Sequence, residues 1–185
     1  MASELRKISK EELQEILSNH KRYLNGEGYK FLADLSYADL SGADLENVNL
    51  NSADLTNADL KGANLEYSNL NFANLSGANL QSANLRCARL QYTGLRGADL
   101  SNADLSNTSS FNACLDETNL NNANLCNADL TRADLKGANL IGADLSGADL
   151  SETDLRNANF SNADLRGVDL NDAYLSGVNF NNTKF

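Results

Sequence analysis

From Leu35 to Phe185 an apolar residue recurs at every fifth position, and few folds can use that period. Leu35, Leu40, Leu45, Leu50 and Leu55 begin the run; Leu165, Leu170, Leu175, Phe180 and Phe185 end it, and Ser110 is its single break. Two residues before each stands a small side chain, usually Ala (Ala33, Ala38, Ala43), and between the two lies Asp or Asn at most positions. A helix repeats every 3.6 residues and a strand every two. On a helix a five-residue step would carry the Leu positions around the axis and bury none of them together. In an extended A-D-L segment, Ala and Leu share one face and Asp takes the other. The two residues that follow, rich in Ser, Asn, Gly, Glu, Lys and Arg, have the chemistry of a turn. Strand and turn repeated wind the chain into a coil with Leu and Ala inside. One coil cannot bury its own Leu, so coils must stack.

The expected class is therefore all-β, a solenoid in one domain. There is no Pro, which suits a chain whose backbone N–H groups pair between coils. Asp and Glu number 25 against 15 Lys and Arg, a net charge of −10. The first 32 residues hold six basic and five acidic residues, so the repeat itself carries −11. That charge opposes direct contact with nucleic acid or an anionic membrane. No apolar run is long enough for a signal peptide or a membrane span. Cys87, Cys114 and Cys126 fall on outward positions, at spacings that suit neither a zinc site nor a disulfide framework. Free outward thiols point to a reducing, cytoplasmic setting.

The A-D/N-L-x-x unit, sustained from Ala33 to Phe185, resembles the pentapeptide-repeat family. The resemblance implies a right-handed four-sided parallel β-helix with four units per coil. Residue types recurring at a spacing of twenty agree: Asp34 with Asp54, Phe72 with Tyr92, and Asp129, Asp149 and Asp169 in one column. The repeat then makes nearly eight coils. At the ~4.8 Å spacing of neighbouring strands, the rod is roughly 37 Å long.

Residues 1–32 read as an N-terminal helical cap and 33–185 as the β-helix. A helix over 10–24 is predicted by Ser9 as N-cap with Glu12 three residues on, a capping box, and by Ile8 and Leu13 as a hydrophobic staple. Leu13, Ile16, Leu17, His20 and Leu24 form its apolar stripe, and Asn25, Gly26 and Gly28 stop it. Tyr29, Phe31 and Leu32 would join it to the first coil. Such a helix either covers the exposed end of the solenoid or binds a partner. His20, the only histidine, lies on the apolar stripe and reads as a packed ring rather than a catalytic base.

Tyr37, Tyr67, Phe72 and Tyr92 stand at outward corners, with Phe72 above Tyr92 and Tyr67 above Cys87. They serve either as stacking between coils or as an exposed docking patch. Arg86, Arg89 and Arg96 bring positive charge into the acidic rod. Near them Arg89, Gly94, Ser109 and Cys114 replace the usual Asp or Asn. Ser110 followed by Phe111 predicts an irregular stretch from Asn107 to Asp116, with Phe111 swung inward or a notch left open. The candidate interaction surface is thus Tyr67, Phe72, Arg86, Arg89, Tyr92, Arg96 and Phe111.

Farther along, Asp134 and Asp154 form a second acidic column and Asp144 and Asp164 a third. Asn119, Asn139, Asn159 and Asn179 suggest a self-satisfying amide ladder. The last coil shows no second helix. Phe180, Phe185 and its open strand edges are expected to be exposed and to pair two chains end to end, unless Lys184 keeps them apart.

No nucleophile elbow, phosphate loop or metal-ligand cluster is present in the sequence, so no enzyme and no cofactor is expected. The expected function is a rigid protein–protein interaction scaffold. The family resemblance supplies an alternative: a DNA-mimicking inhibitor or protector of DNA gyrase or topoisomerase IV, of the quinolone-resistance type. Duplex DNA carries one charge per ≈ 1.7 Å of axis, and −11 over the rod is about half that density. No inserted loop breaks the repeat either, unlike many gyrase-protecting members. The scaffold therefore ranks first.

Overall fold

The structure, a computed structural model, describes residues 5–27 and 31–185. Strand β1 (Arg6–Lys7) is followed by helix α1 (Lys10–Leu24) and by β2 (Ala38–Asp39). Beyond β2 the chain is a continuous coil. Its parallel bridges run from Asp34↔Asp54 to Asp164↔Lys184, always twenty residues apart, so four pentapeptides close each coil. Each side donates and accepts across the step: Leu35 N–H bonds the Asp54 carbonyl at 2.7 Å, and Asp54 N–H the Ala33 carbonyl at 2.9 Å.

Local chemistry explains each position of the unit. The Leu carbonyl accepts from the N–H three residues on, as Leu40 does from Ala43 at 3.0 Å, closing a turn. The second turn residue is left-handed at every corner from Tyr37 to Asn182, with φ between 54° and 76°. This is why Gly and Asn crowd that position. The Asp or Asn before the Leu has its own task. Its Oδ1 accepts the N–H of the first turn residue, as Asp54 does from Thr56 (2.9 Å) and Asn124 from Cys126 (3.1 Å). Such Asx turns hold the corner from outside. Inside, Leu and Ala side chains from Ala33 to Leu165 form one buried column. Each Leu contributes about 1.5–3 kcal/mol of burial.

The N-terminal end is covered twice. Ser9 caps α1 by accepting the Glu12 N–H at 3.1 Å, and Ile8, Leu13, Ile16 and Leu17 pack on the core. His20 is fully buried, and its Nδ1 accepts the Ala33 N–H at 3.0 Å, tying helix to first coil. Strand β1, which the sequence did not announce, pairs with β2, and the Arg6 guanidinium bonds the Asp34 carbonyl at 2.8 Å. Asn25 and Gly26 end the helix as expected, Gly26 with φ 72°. Gly28 and Tyr29 lie outside the described residues. Phe31 and Leu32 do not seal the junction: they are 79% and 37% exposed.

Three further expectations need correction. The coil is regular at Ser110, whose N–H bonds the Asp129 carbonyl at 2.7 Å, and Phe111 points outward. The Ser110 side chain is buried, and its Oγ donates to Thr108 Oγ1 at 3.3 Å. Thr108 takes the usual Ala position, so its added bulk offsets part of the missing Leu. The Asn119–Asn179 column is no self-satisfying ladder. Asn119 donates to Asp99 (3.0 Å) and Asn179 to Ser161 (2.9 Å), while Asn139 Oδ1 has no partner among the described residues. Finally, Phe180 is partly buried, stacked on Phe160 at 5.7 Å, whereas Phe185 is 71% exposed.

Candidate functional site

The four sides follow from the bridge columns. One of them, called here the fourth face, carries Asn49, Asn69, Arg89, Ser109, Asp129, Asp149 and Asp169 on its outer surface in order. Corner residues Tyr67 and Cys87 border it on one edge, and Phe72 and Tyr92 on the other. Six of the predicted surface residues therefore meet on one face and its two edges: Tyr67, Phe72, Arg86, Arg89, Tyr92 and Phe111. The acidic column Asp129, Asp149 and Asp169 continues the same face. Arg96 does not join them. It stands one face away, paired with Asp116 at 3.1 Å and Glu117 at 3.5 Å.

The aromatic edge is continuous. Phe72 and Tyr92 stack with centroids 5.0 Å apart and planes within 2°. Phe111 meets Tyr92 edge-on at 5.8 Å, and the Arg132 guanidinium lies 5.9 Å above Phe111. Arg132 in turn grips Glu152 through Nε (2.7 Å) and Nη2 (3.1 Å). Sequence reasoning missed Arg132 and Glu152, although their twenty-residue spacing below Phe72 and Tyr92 was there to find. Phe72, Tyr92 and Tyr67 are 57%, 50% and 49% exposed, and all three hold the left-handed corner conformation.

Arg89 stands between the two aromatic edges. Arg86, Arg96, Arg132, Arg156 and Arg166 each pair with a carboxylate. Among the described residues Arg89 has no such partner, and its neighbours in the column are the uncharged Asn69 and Ser109. Because Arg89 cannot form an Asx turn, the Gln91 N–H is taken by Asn71 Oδ1 from the preceding coil at 2.9 Å. Asn71 Nδ2 returns a bond to Gln91 Oε1 (3.2 Å), and Gln91 Nε2 reaches Ser109 Oγ (3.0 Å). The polar net fixes the backbone beneath the rings.

Down the face the acids are half committed. Asp129, Asp149 and Asp169 each spend Oδ1 on the N–H two residues on, at 3.1, 2.9 and 2.9 Å. The Ser151 hydroxyl and its N–H hold the Asp149 carboxyl below its ordinary range. The thiols are subdued: burial, with Asp116 alongside, pushes Cys114 up to about 11, and burial raises Cys126. No helix among the described residues is long and apolar enough to cross a membrane.

The comparisons agree with this architecture. A family model described as pentapeptide repeats matches in eight copies, over residues 32–66, 68–107, 113–151 and 143–182. No curated protein sequence matches. Among solved structures, a trypsin-treated variant of QnrB1, a plasmid-mediated fluoroquinolone resistance protein, superposes with TM-score 0.62 at 24% identity, covering 76% of each chain. HetL, a pentapeptide repeat protein involved in heterocyst differentiation regulation from the cyanobacterium Nostoc sp. strain PCC 7120, is 44% identical over 80% of this chain and 72% of its own, with TM-score 0.33. A pentapeptide repeat protein of the Arabidopsis thaliana thylakoid lumen is 33% identical over 56% of this chain and 68% of its own, with TM-score 0.42. The coil is accordingly a right-handed β-helix, and the chain belongs to the pentapeptide-repeat family.

Proposed function

We propose that the protein is a non-enzymatic scaffold that docks a protein partner on the fourth face, with segment 1–32 serving as cap. One observation carries this reading: the large aromatic side chains of Tyr67, Phe72 and Tyr92 occupy left-handed corners, a position that Gly or Asn fills at most other corners. The left-handed backbone costs an ordinary residue about 1–2 kcal/mol. An aromatic pair returns only ≈ 0.5–1.5 kcal/mol beyond its buried area. Stacking therefore does not repay two such corners, and exposed strain of this kind suggests function. Tyr, Phe and Arg together are also the composition of interface centres. The test is a photo-crosslinking amino acid at position 92 or, on another edge, at 102, in cells of the source organism. A discrete protein adduct from 92 alone, lost with Phe72→Asn, supports docking. Equal adducts from both positions, or none, reject it.

A topoisomerase decoy is the second reading. Its support is the column of Asp129, Asp149 and Asp169, none of which is in an ion pair among the described residues. Against it, the Asp154 and Asp164 carboxylates are occupied by Arg156 and Arg166. Gyrase supercoiling with and without ciprofloxacin, titrated with the protein, decides. Inhibition or protection at low micromolar concentration, weakened by the three Asp→Asn changes together, would favour the decoy.

A further inference from the structure

We propose that Arg89 recognises a carboxylate on an extended segment of the partner, one whose acidic residue has apolar neighbours and a basic residue three or four positions away. The proposal rests on the docking reading above and names the chemistry of what docks.

The argument is one of charge and spacing. The rod repels acids almost everywhere, but the middle of the fourth face holds a guanidinium with no ion-pair partner among the described residues and no carboxylate in its column until Asp129, two coils on. A planar fork of donors favours a carboxylate with two parallel bonds. An exposed ion pair alone is weak. Here Tyr67 stands on one edge, and Phe72 and Tyr92 on the other, able to shield the pair from water and to bury the apolar neighbours of the acid. Two coils span ~10 Å, and an extended chain advances ~3.3 Å per residue, so a base three or four residues away reaches Asp129. The face thus reads one polarity of charge along its length. Asn71, Gln91 and Ser109 hold that geometry without adding charge. The same arrangement admits a second copy of the chain, laid antiparallel so that Arg89 of each meets Asp129 of the other. The open aromatic edges favour a slender segment over a flat rod.

A random linear peptide library displayed on phage, selected against the whole protein, tests this. The expected enrichment is Asp or Glu beside an aromatic or branched residue, with Lys or Arg three or four away. Arg89→Glu should turn the enriched acid into Lys or Arg and weaken the original peptides at least tenfold. Arg89→Asn, which restores the repeat consensus, controls for folding and should lose them too. Enrichment indifferent to Arg89→Glu yet lost with Tyr92→Asn overturns the carboxylate and leaves the docking face. Failure to enrich any peptide overturns the proposal. Self-association by sedimentation that requires both Arg89 and Asp129 also overturns it, giving the face to a second copy.

Discussion

Asn71 reaches across one coil to hold the N–H of Gln91 at 2.9 Å, doing for the Arg89 unit what an Asx turn does elsewhere. The coupling is testable as a cycle. Asn71→Ala should cost about 1–2 kcal/mol, because it strips the N–H and the Gln91 amide of partners. With Arg89→Asn present, the introduced amide would supply its own turn and most of that cost should vanish. Urea melts of the four proteins give the interaction energy; strict additivity would deny the coupling.

The corner aromatics should be dispensable for stability. Phe72→Asn and Tyr92→Asn together remove a stack worth ≈ 0.5–1.5 kcal/mol and relieve two left-handed corners. The expected net change is within about 1 kcal/mol, read by thermal denaturation. A loss well beyond that would make the stack a structural element.

Most of the fold was legible because one unit states it many times. Leu spacing gave the interior and the twenty-residue recurrence gave the columns, and a single coil with one helix followed. What was not legible came from side chains with more than one use. Asp and Asn looked like charge and solvation, yet so many of them hold a backbone N–H that an amide column could not be inferred to bond itself. Ser110 looked like a defect because a lone Leu→Ser change opens space, but Thr108 two residues earlier shares the interior. β1 has only Arg6 and Lys7, too few residues for any periodicity. Of the site, the rings and arginines were visible. The isolation of Arg89 was not, because it depends on which carboxylates the other arginines take.

The interior substitution gives a direct measurement. Ser110→Leu alone must share space with Thr108, whereas Thr108→Ala with Ser110→Leu restores the pattern of Ala88 and Leu90 above and Ala128 and Leu130 below. Burial of the new Leu contributes about 1.5–3 kcal/mol, and two buried hydroxyls disappear. The double variant should melt several degrees higher than the parent and higher than either single variant. A double variant below the parent would mean that the coil has closed around Ser110.

The cap and the coil should respond to acid separately. His20 must be neutral, since its Nδ1 accepts the Ala33 N–H. Burial lowers its pKa below the ordinary 6.5, partly offset by the Asn51 backbone. A base whose folded pKa is depressed stabilises fully above the unfolded value and loses that contribution as pH falls through and below 6.5. The carboxylates behave likewise at lower pH. Side-chain and backbone bonds from Ser36, Ser41 and Ser151 hold Asp34, Asp39 and Asp149 below their ordinary 3.8, so their contribution is lost only below that value. Between about pH 6.5 and 4 the helix should therefore loosen while the coil persists. Hydrogen exchange should show faster exchange in 10–24 at about pH 5 than expected from intrinsic rates, with 40–165 unchanged. His20→Gln keeps an acceptor but cannot titrate, so its helix should show equal protection, relative to intrinsic rates, at about pH 5 and pH 7. Equal protection of the parent helix at both pH values would show that His20 does not gate the cap.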